Sequence, residues 1–236
     1  MDATHISPLH HQTKKPNKMN TKTYYQLIID KSGSMSSCVK ETISGYNEQI
    51  QMIRDLQRLN PEQEILVSLT TFNHFVNHVS ICNKPDEISL MSNENYDPNG
   101  STALLDAIGE SVMSLKSRAN EEFNNDQASA VVVIITDGYE NASRFFSLNN
   151  IRNLIRELEA TGKWTFSFLG ADMAALEQAK NLNIQTANAA SYSKADSQRV
   201  FEKMAYDMDS YISEKKAGRI KKTFLEKNDS DSEDLF

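Results

Sequence analysis

The chain has 236 residues, of which 39% are hydrophobic and 24% charged, with 32 acidic against 25 basic residues and a net charge of −7. That length suits one α/β domain with tails and a sizeable core, and the acidic balance argues against nucleic-acid binding as a default role. No stretch approaches a membrane-spanning length, and two cysteines, Cys38 and Cys82, are too few for a disulfide framework or a thiolate zinc site and read as reduced, mostly buried thiols.

Residues 1–22 are polar, carrying His5, His10, His11, Lys14, Lys15 and Pro16. They predict a flexible tail without the apolar core of a signal peptide, so a cytoplasmic location is expected. From Tyr24 onward strand and helix patterns alternate. An apolar run over 24–29 predicts the first strand, and Val39, Ile43, Tyr46, Ile50, Ile53 and Leu56 mark a helix at three- and four-residue spacings. Runs over 65–72 and 75–82 are joined by so short a link that they must form an antiparallel hairpin. Residues 83–98 predict a loop with a short helical turn. Leu105, Ile108, Val112 and Leu115 then mark a helix starting near Thr102.

The run over 130–136 is almost wholly apolar and β-branched, the pattern of a central strand buried on both faces. A helix through Ile151, Leu154, Ile155 and Leu158, a strand over 164–169 and a short helix over 173–181 follow. A last, weak strand is expected over 184–187. A final helix carries Phe201, Met204, Met208 and Tyr211 on one face. Its basic end, with Lys215, Lys216, Arg219, Lys221 and Lys222, is read as stabilising a helix C-terminus rather than contacting nucleic acid. Acidic residues from Asp229 to Asp234 predict a disordered end. The division is a tail over 1–22, a domain over 23–216, and a basic and acidic tail over 217–236. This alternation predicts a doubly wound, mostly parallel sheet of about six strands, with one antiparallel edge strand and helices on both faces.

Asp30-Lys31-Ser32-Gly33-Ser34 follows the first strand directly. One carboxylate and two hydroxyls at alternating positions offer three oxygens to one point, a donor set that suits Mg²⁺, Mn²⁺ or Ca²⁺ better than zinc. Downstream, Asn99-Gly100-Ser101-Thr102 precedes a helix, and Thr136-Asp137-Gly138 ends the central strand. Gly33 and Gly100 are expected to permit turns that other residues would strain.

These three pieces resemble the metal-ion-dependent adhesion site, MIDAS, of von Willebrand factor A domains. Further similarity lies in Ala103 to Gly109, Tyr139 to Arg144 and Phe168 to Ala171, and looks most like the stand-alone bacterial or phage members. The resemblance spans roughly residues 22–216. It implies one Mg²⁺ or Mn²⁺ held by Asp30, Ser32, Ser34, Thr102 and Asp137, with some carboxylates acting through water. It also implies a position open to an Asp or Glu from a protein partner. Pathways suggested by the family are complexes with AAA+ ATPases, stress resistance and phage defence. Asp106, Glu140 and Asn141 are candidates for the surroundings: Asp106 either bonds to the ligand loop or serves as a first-turn acid, and Glu140 and Asn141 either line the rim or face solvent.

The alternative is a hydrolase or phosphatase using the same crevice. An aspartyl-phosphate phosphatase needs a second acid two residues after the first, where this chain has Ser32. The phosphate-binding GxxxxGK[ST] pattern and the GxSxG nucleophile elbow are both absent. A binding module is therefore the primary expectation.

Overall fold

Side-chain alternation along the strands sorts the apolar residues of this chain onto two faces of one sheet. The computed structural model describes residues 21–170 and 173–191, together with Asp207, Ser210, Tyr211, Ser213 and Glu214. The predicted tails, apart from residues 21 and 22, and most of the last predicted helix lie outside the described residues; Lys22 already belongs to the first strand. In chain order the elements are β1 (Lys22–Asp30), α1 (Val39–Leu59), β2 (Glu64–Phe72), β3 (Val76–Asn83), α2 (Leu104–Arg118) and α3 (Asn120–Asn124). Then come β4 (Ala128–Thr136), α4 (Leu148–Ala160), β5 (Trp164–Gly170), α5 (Met173–Asn181) and β6 (Ala189–Ser191).

The strands lie in the order β3-β2-β1-β4-β5-β6. Every neighbouring pair is parallel except β2 and β3, whose antiparallel pairing puts β3 at an edge. This is the doubly wound α/β sheet that the strand and helix order predicts.

On one face, Tyr25, Leu27 and Ile29 of β1 and Val131, Val133 and Ile135 of β4 pack with Tyr46, Ile50, Ile53 and Leu56 of α1. The intervening residues Tyr24, Ile28, Val132 and Ile134 meet Ile108 and Val112 of α2 and Ile151 and Ile155 of α4 on the other face. A residue period of two feeding two helix layers explains why β4 is buried along its whole length and reads as an unbroken apolar run.

Three details differ from the sequence reading. The last strand falls at 189–191, and 184–187 is not part of the sheet. Ile184 is buried because the end of α5 folds back there. Its amide donates to the Ala179 carbonyl and that of Asn183 to the Lys180 carbonyl, with Asn183 at φ 65°. That left-handed residue closes the helix in the manner usually given to glycine, so Ile184 packs on the core without sheet pairing. The short helix α3 had no periodic signal. Finally, Gly100 does take a positive φ of 78°, whereas Gly33 does not; Gly33 instead donates its amide to the Gly100 carbonyl at 3.0 Å. Among the described residues, Cys38 is buried, Cys82 half-buried and neither forms a disulfide, and no helix is long and apolar enough to cross a membrane.

Candidate metal centre

β1 and β4 run side by side in register from Lys22 and Ala128 to Ile29 and Ile135. Their next residues, Asp30 and then Thr136 and Asp137, therefore leave the sheet together. Strands about 4.8 Å apart put side chains from both loops within reach of one small ion. Asp30 is fully buried. One carboxylate oxygen accepts from the Ser32 amide and the other from the Thr136 hydroxyl, each at 2.6 Å, and its carbonyl accepts from the Tyr96 hydroxyl at 2.6 Å.

The remaining sequence-selected oxygens gather around it. Ser34 Oγ lies 3.2 Å from Ser32 Oγ and donates to Asp137 Oδ1 at 2.8 Å. A Cβ built on Gly138 would lie 3.1 Å from Ser34 Oγ, 3.1 Å from Thr102 Oγ1 and 3.2 Å from Asp30 Oδ2. Oxygens from the segment after β1 and from the loop before α2 thus meet beside one glycine of the loop after β4.

Thr102 is brought in by two sets of clamps. The loop before it is tied to the first loop by amides of Asn99 and Gly33, which donate to Lys31 O at 2.8 Å and Gly100 O at 3.0 Å. Asn73 in the β2–β3 link donates its side-chain amide to Asn99 O at 3.0 Å, and its carbonyl accepts from Ala103 N at 2.7 Å. After Asp137, Asn141 Oδ1 accepts from Thr102 N at 2.9 Å while Thr102 O accepts from the Asn141 and Ala142 amides.

Asp106 and Glu140 are occupied in the same joint. Asp106 is 4% exposed and accepts backbone amides from Arg144 at 2.7 Å, Phe145 at 2.9 Å and Phe146 at 2.8 Å. Glu140 accepts from the amides of Leu105, Ala142 and Ser143 and from the Ser143 hydroxyl, at 2.7–2.9 Å. The first amides of α2 have no local cap, since Ala103 stands at that position. Glu140 and Ser143 satisfy the Leu105 and Asp106 amides from across the joint. Asp106, Glu140 and Asn141 thus tie the Thr102 helix to the Asp137 loop. Asp106 and Glu140 are thus held by several hydrogen bonds each, while Asn141 makes its bond from an exposed position.

Thr136, Tyr96, Ser143 and Gln178 also support the centre, the last by donating to the Gly138 carbonyl at 2.8 Å. Thr136 adjoins the Asp137 motif and was open to inspection. Tyr96 in an aperiodic loop and Gln178 on α5 carried no signal.

Burial pushes the Asp30 carboxyl up to about 6, against the lowering effect of the Thr136 hydroxyl and the Ser32 hydrogen bonds, and with a further rise from Asp137. An aspartate whose folded value lies above its unfolded one binds protons more tightly when folded. In EDTA-treated protein, its contribution is most favourable below about pH 4 and is lost as pH rises to about 6, a change on the order of 3 kcal/mol. Asp30→Asn is expected to remove that part of the pH slope and to raise the melting temperature at pH 7. Thermal melts of both proteins from pH 4 to 8 check it, and parallel curves would contradict it.

The donor set fits a hard divalent cation. It comprises two carboxylates and three hydroxyls, and the 2.8 and 3.2 Å contacts match the spacing of about 3 Å between neighbouring oxygens around an octahedral ion with bonds near 2.1 Å. Among the described residues no group of three or more His, Cys, Asp or Glu side chains is placed to hold a metal.

The architecture is that of the von Willebrand factor A domain. No protein-family model matches the sequence, and no curated protein matches it. Among solved structures, the chain is similar to the von Willebrand factor domain of the type V pili tip protein Mfa5 from Porphyromonas gingivalis. The TM-score is 0.60 at 12% identity, covering 82% of this chain and 97% of that one. The PilB minor pilin from Streptococcus sanguinis gives 0.52 at 13%, covering 86% of this chain and 63% of that one. Manganese-loaded TRAP protein from Plasmodium vivax gives 0.51 at 16%, covering 77% and 72%. The chain thus spans less than two thirds of the pilin, and at these identities the likeness is one of fold.

Proposed function

We propose that this chain is a metal-dependent protein-binding module rather than an enzyme. In this reading Asp30, Ser32, Ser34, Thr102 and Asp137 form a MIDAS that holds one Mg²⁺ or Mn²⁺. The observation that carries it is the open space at Gly138, with Asp30, Ser34 and Thr102 oxygens 3.1–3.2 Å from a single point. The manganese-loaded state of the TRAP neighbour is consistent with that choice of ion. Two carboxylates balance a divalent charge only if both ligate directly, so a site using hydroxyls and waters keeps affinity for an outside anion. A partner's Asp or Glu is the occupant proposed, since carboxylate oxygen is what a hard cation prefers. When bound, the cation supplies an electrophilic coordination position for that carboxylate. The chain's own residues fix the geometry through the Asn141, Glu140 and Asp106 clamps. We place the module in the cytoplasm as an adaptor in a bacterial or phage complex.

Calorimetric titration with Mn²⁺ and Mg²⁺ tests the centre. Wild type should take up one ion and Asp30→Ala none, and equal uptake by both would remove the assignment. With a co-purified partner in hand, EDTA and Asp137→Ala should each abolish the complex and added Mg²⁺ should restore the wild type. Losing a desolvated charged contact of this kind costs roughly 2–5 kcal/mol. A complex that survives both treatments would move the interface to another surface.

A further inference from the structure

At the opposite end of the sheet, where β5 begins, a cavity of about 180 Å³ is lined by Glu159, Ala160, Gly162, Trp164, Asn183 and Gln185. The Oε1 atom of Glu159 is buried and has no hydrogen-bond partner among the described residues. A buried carboxylate oxygen left without a donor is costly. Its position compounds the cost. Glu159 lies in the last turn of α4 (Leu148–Ala160), at the negative end of the helix dipole, where a cation would be favoured and an anion is not.

The cations nearest in sequence do not neutralise it. Arg156 also lines the cavity, but its guanidinium donates back along the helix to Asn153 Oδ1 at 2.9 Å. Lys163 donates to the Phe123 carbonyl and pairs with Asp126 at 2.7 Å. Consistently, burial pushes the Glu159 carboxyl up to about 7, offset only in part by the Phe166 amide.

The cavity, then, is lined by one carboxyl side chain without an ion-pair partner among the described residues, the end of a helix, side-chain amides and an aromatic wall. Trp164 supplies that wall and is braced by Phe123 at 4.7 Å and Phe166 at 6.3 Å between ring centroids. Trp164 is 4% exposed.

We infer that this cavity is a seat for an organic cation, an ammonium or guanidinium head that donates to Glu159 and lies beside Trp164. A metal ion is disfavoured because the cavity brings a single carboxylate, and hard divalent ions prefer several oxygen ligands. A nitrogen cation with an alkyl stem uses everything present: N–H donors for Glu159 and the amide oxygens, positive charge for the helix end, and polarisable surface for the indole. Two sources share this chemistry, a free small amine and a Lys or Arg side chain of a partner protein. The seat is separate from the proposed metal centre, which lies beyond the opposite ends of the parallel strands.

Trp164 is the only tryptophan of the chain, which makes it a selective reporter. The full chain is titrated with butylammonium, butylguanidinium, the blocked peptide Gly-Arg-Gly, and butanol as an uncharged control, while indole fluorescence is followed. A saturable change with at least one cation, absent with butanol and weakened by about tenfold or more in Glu159→Gln, is expected from loss of a charge-assisted hydrogen bond. Binding of the butyl cations supports a free amine as occupant, and binding of the peptide alone supports a partner's side chain. Glu159→Gln should melt no lower than wild type, which guards against a folding artefact. Asp30→Ala should titrate with the cations as wild type does. The inference is overturned if no cation saturates, if butanol acts equally, or if Glu159→Gln responds like wild type; water would then be the occupant.

Discussion

Gly138→Ala should fold and yet bind Mn²⁺ about 10–100-fold more weakly, the range seen when the surroundings of a metal's ligands are altered. The added methyl would lie 3.1–3.2 Å from Ser34 Oγ, Thr102 Oγ1 and Asp30 Oδ2, in the space that a cation and its ligands need. Gly138 has no positive φ, so alanine meets no backbone penalty there. Two of the three oxygens belong to hydroxyl rotors that can yield by a few tenths of an ångström, which keeps the cost in stability small. Calorimetry beside a thermal melt separates the two effects. Wild-type affinity in a folded variant would mean that the oxygens do not converge on an ion.

Asp106→Ala should be the most destabilising single change in this region. It strips the acceptor from the amides of Arg144, Phe145 and Phe146, in a side chain only 4% exposed. Leaving three partly buried amides without this acceptor, with the cavity added, is expected to cost on the order of 3 kcal/mol. Asp106→Asn retains one acceptor oxygen and should lose less. Because the same joint carries Thr102 through Asn141, Mn²⁺ affinity should fall in both variants although neither residue is a proposed ligand. Urea denaturation and calorimetry check the pair. Unchanged stability in Asp106→Ala would mean that the joint is maintained by Glu140 and Asn141 alone.

Much of the architecture is determined by local pattern. The apolar runs of β1 and β4 mark strands buried on both faces, and the three- and four-residue spacings of α1 state which side of that helix must be buried. The short link after β2 forces the antiparallel edge. Local chemistry likewise picks out Asp30, Ser32 and Ser34 as candidate oxygen donors after a strand, and the resemblance to von Willebrand factor A domains adds Thr102 and Asp137.

Tertiary structure decided what lies between those pieces. The bonds of Asp106 to Arg144, Phe145 and Phe146 span 38–40 residues, and that of Tyr96 to the Asp30 carbonyl spans 66. No periodicity records such a pairing, because Tyr96, Arg144, Phe145 and Phe146 sit in aperiodic loops. The displaced last strand has the same origin: Ile184 is apolar, but the left-handed Asn183 turns it onto the core instead of into the sheet. Glu159 makes the point from the other side. As one acid among several on a helix it was indistinguishable in the chain, and only the packing of β5 and the α5–β6 turn against the end of α4 left one of its oxygens buried and without a donor. Burial and hydrogen-bond satisfaction are properties of the folded surface, and residues far apart in sequence decide them.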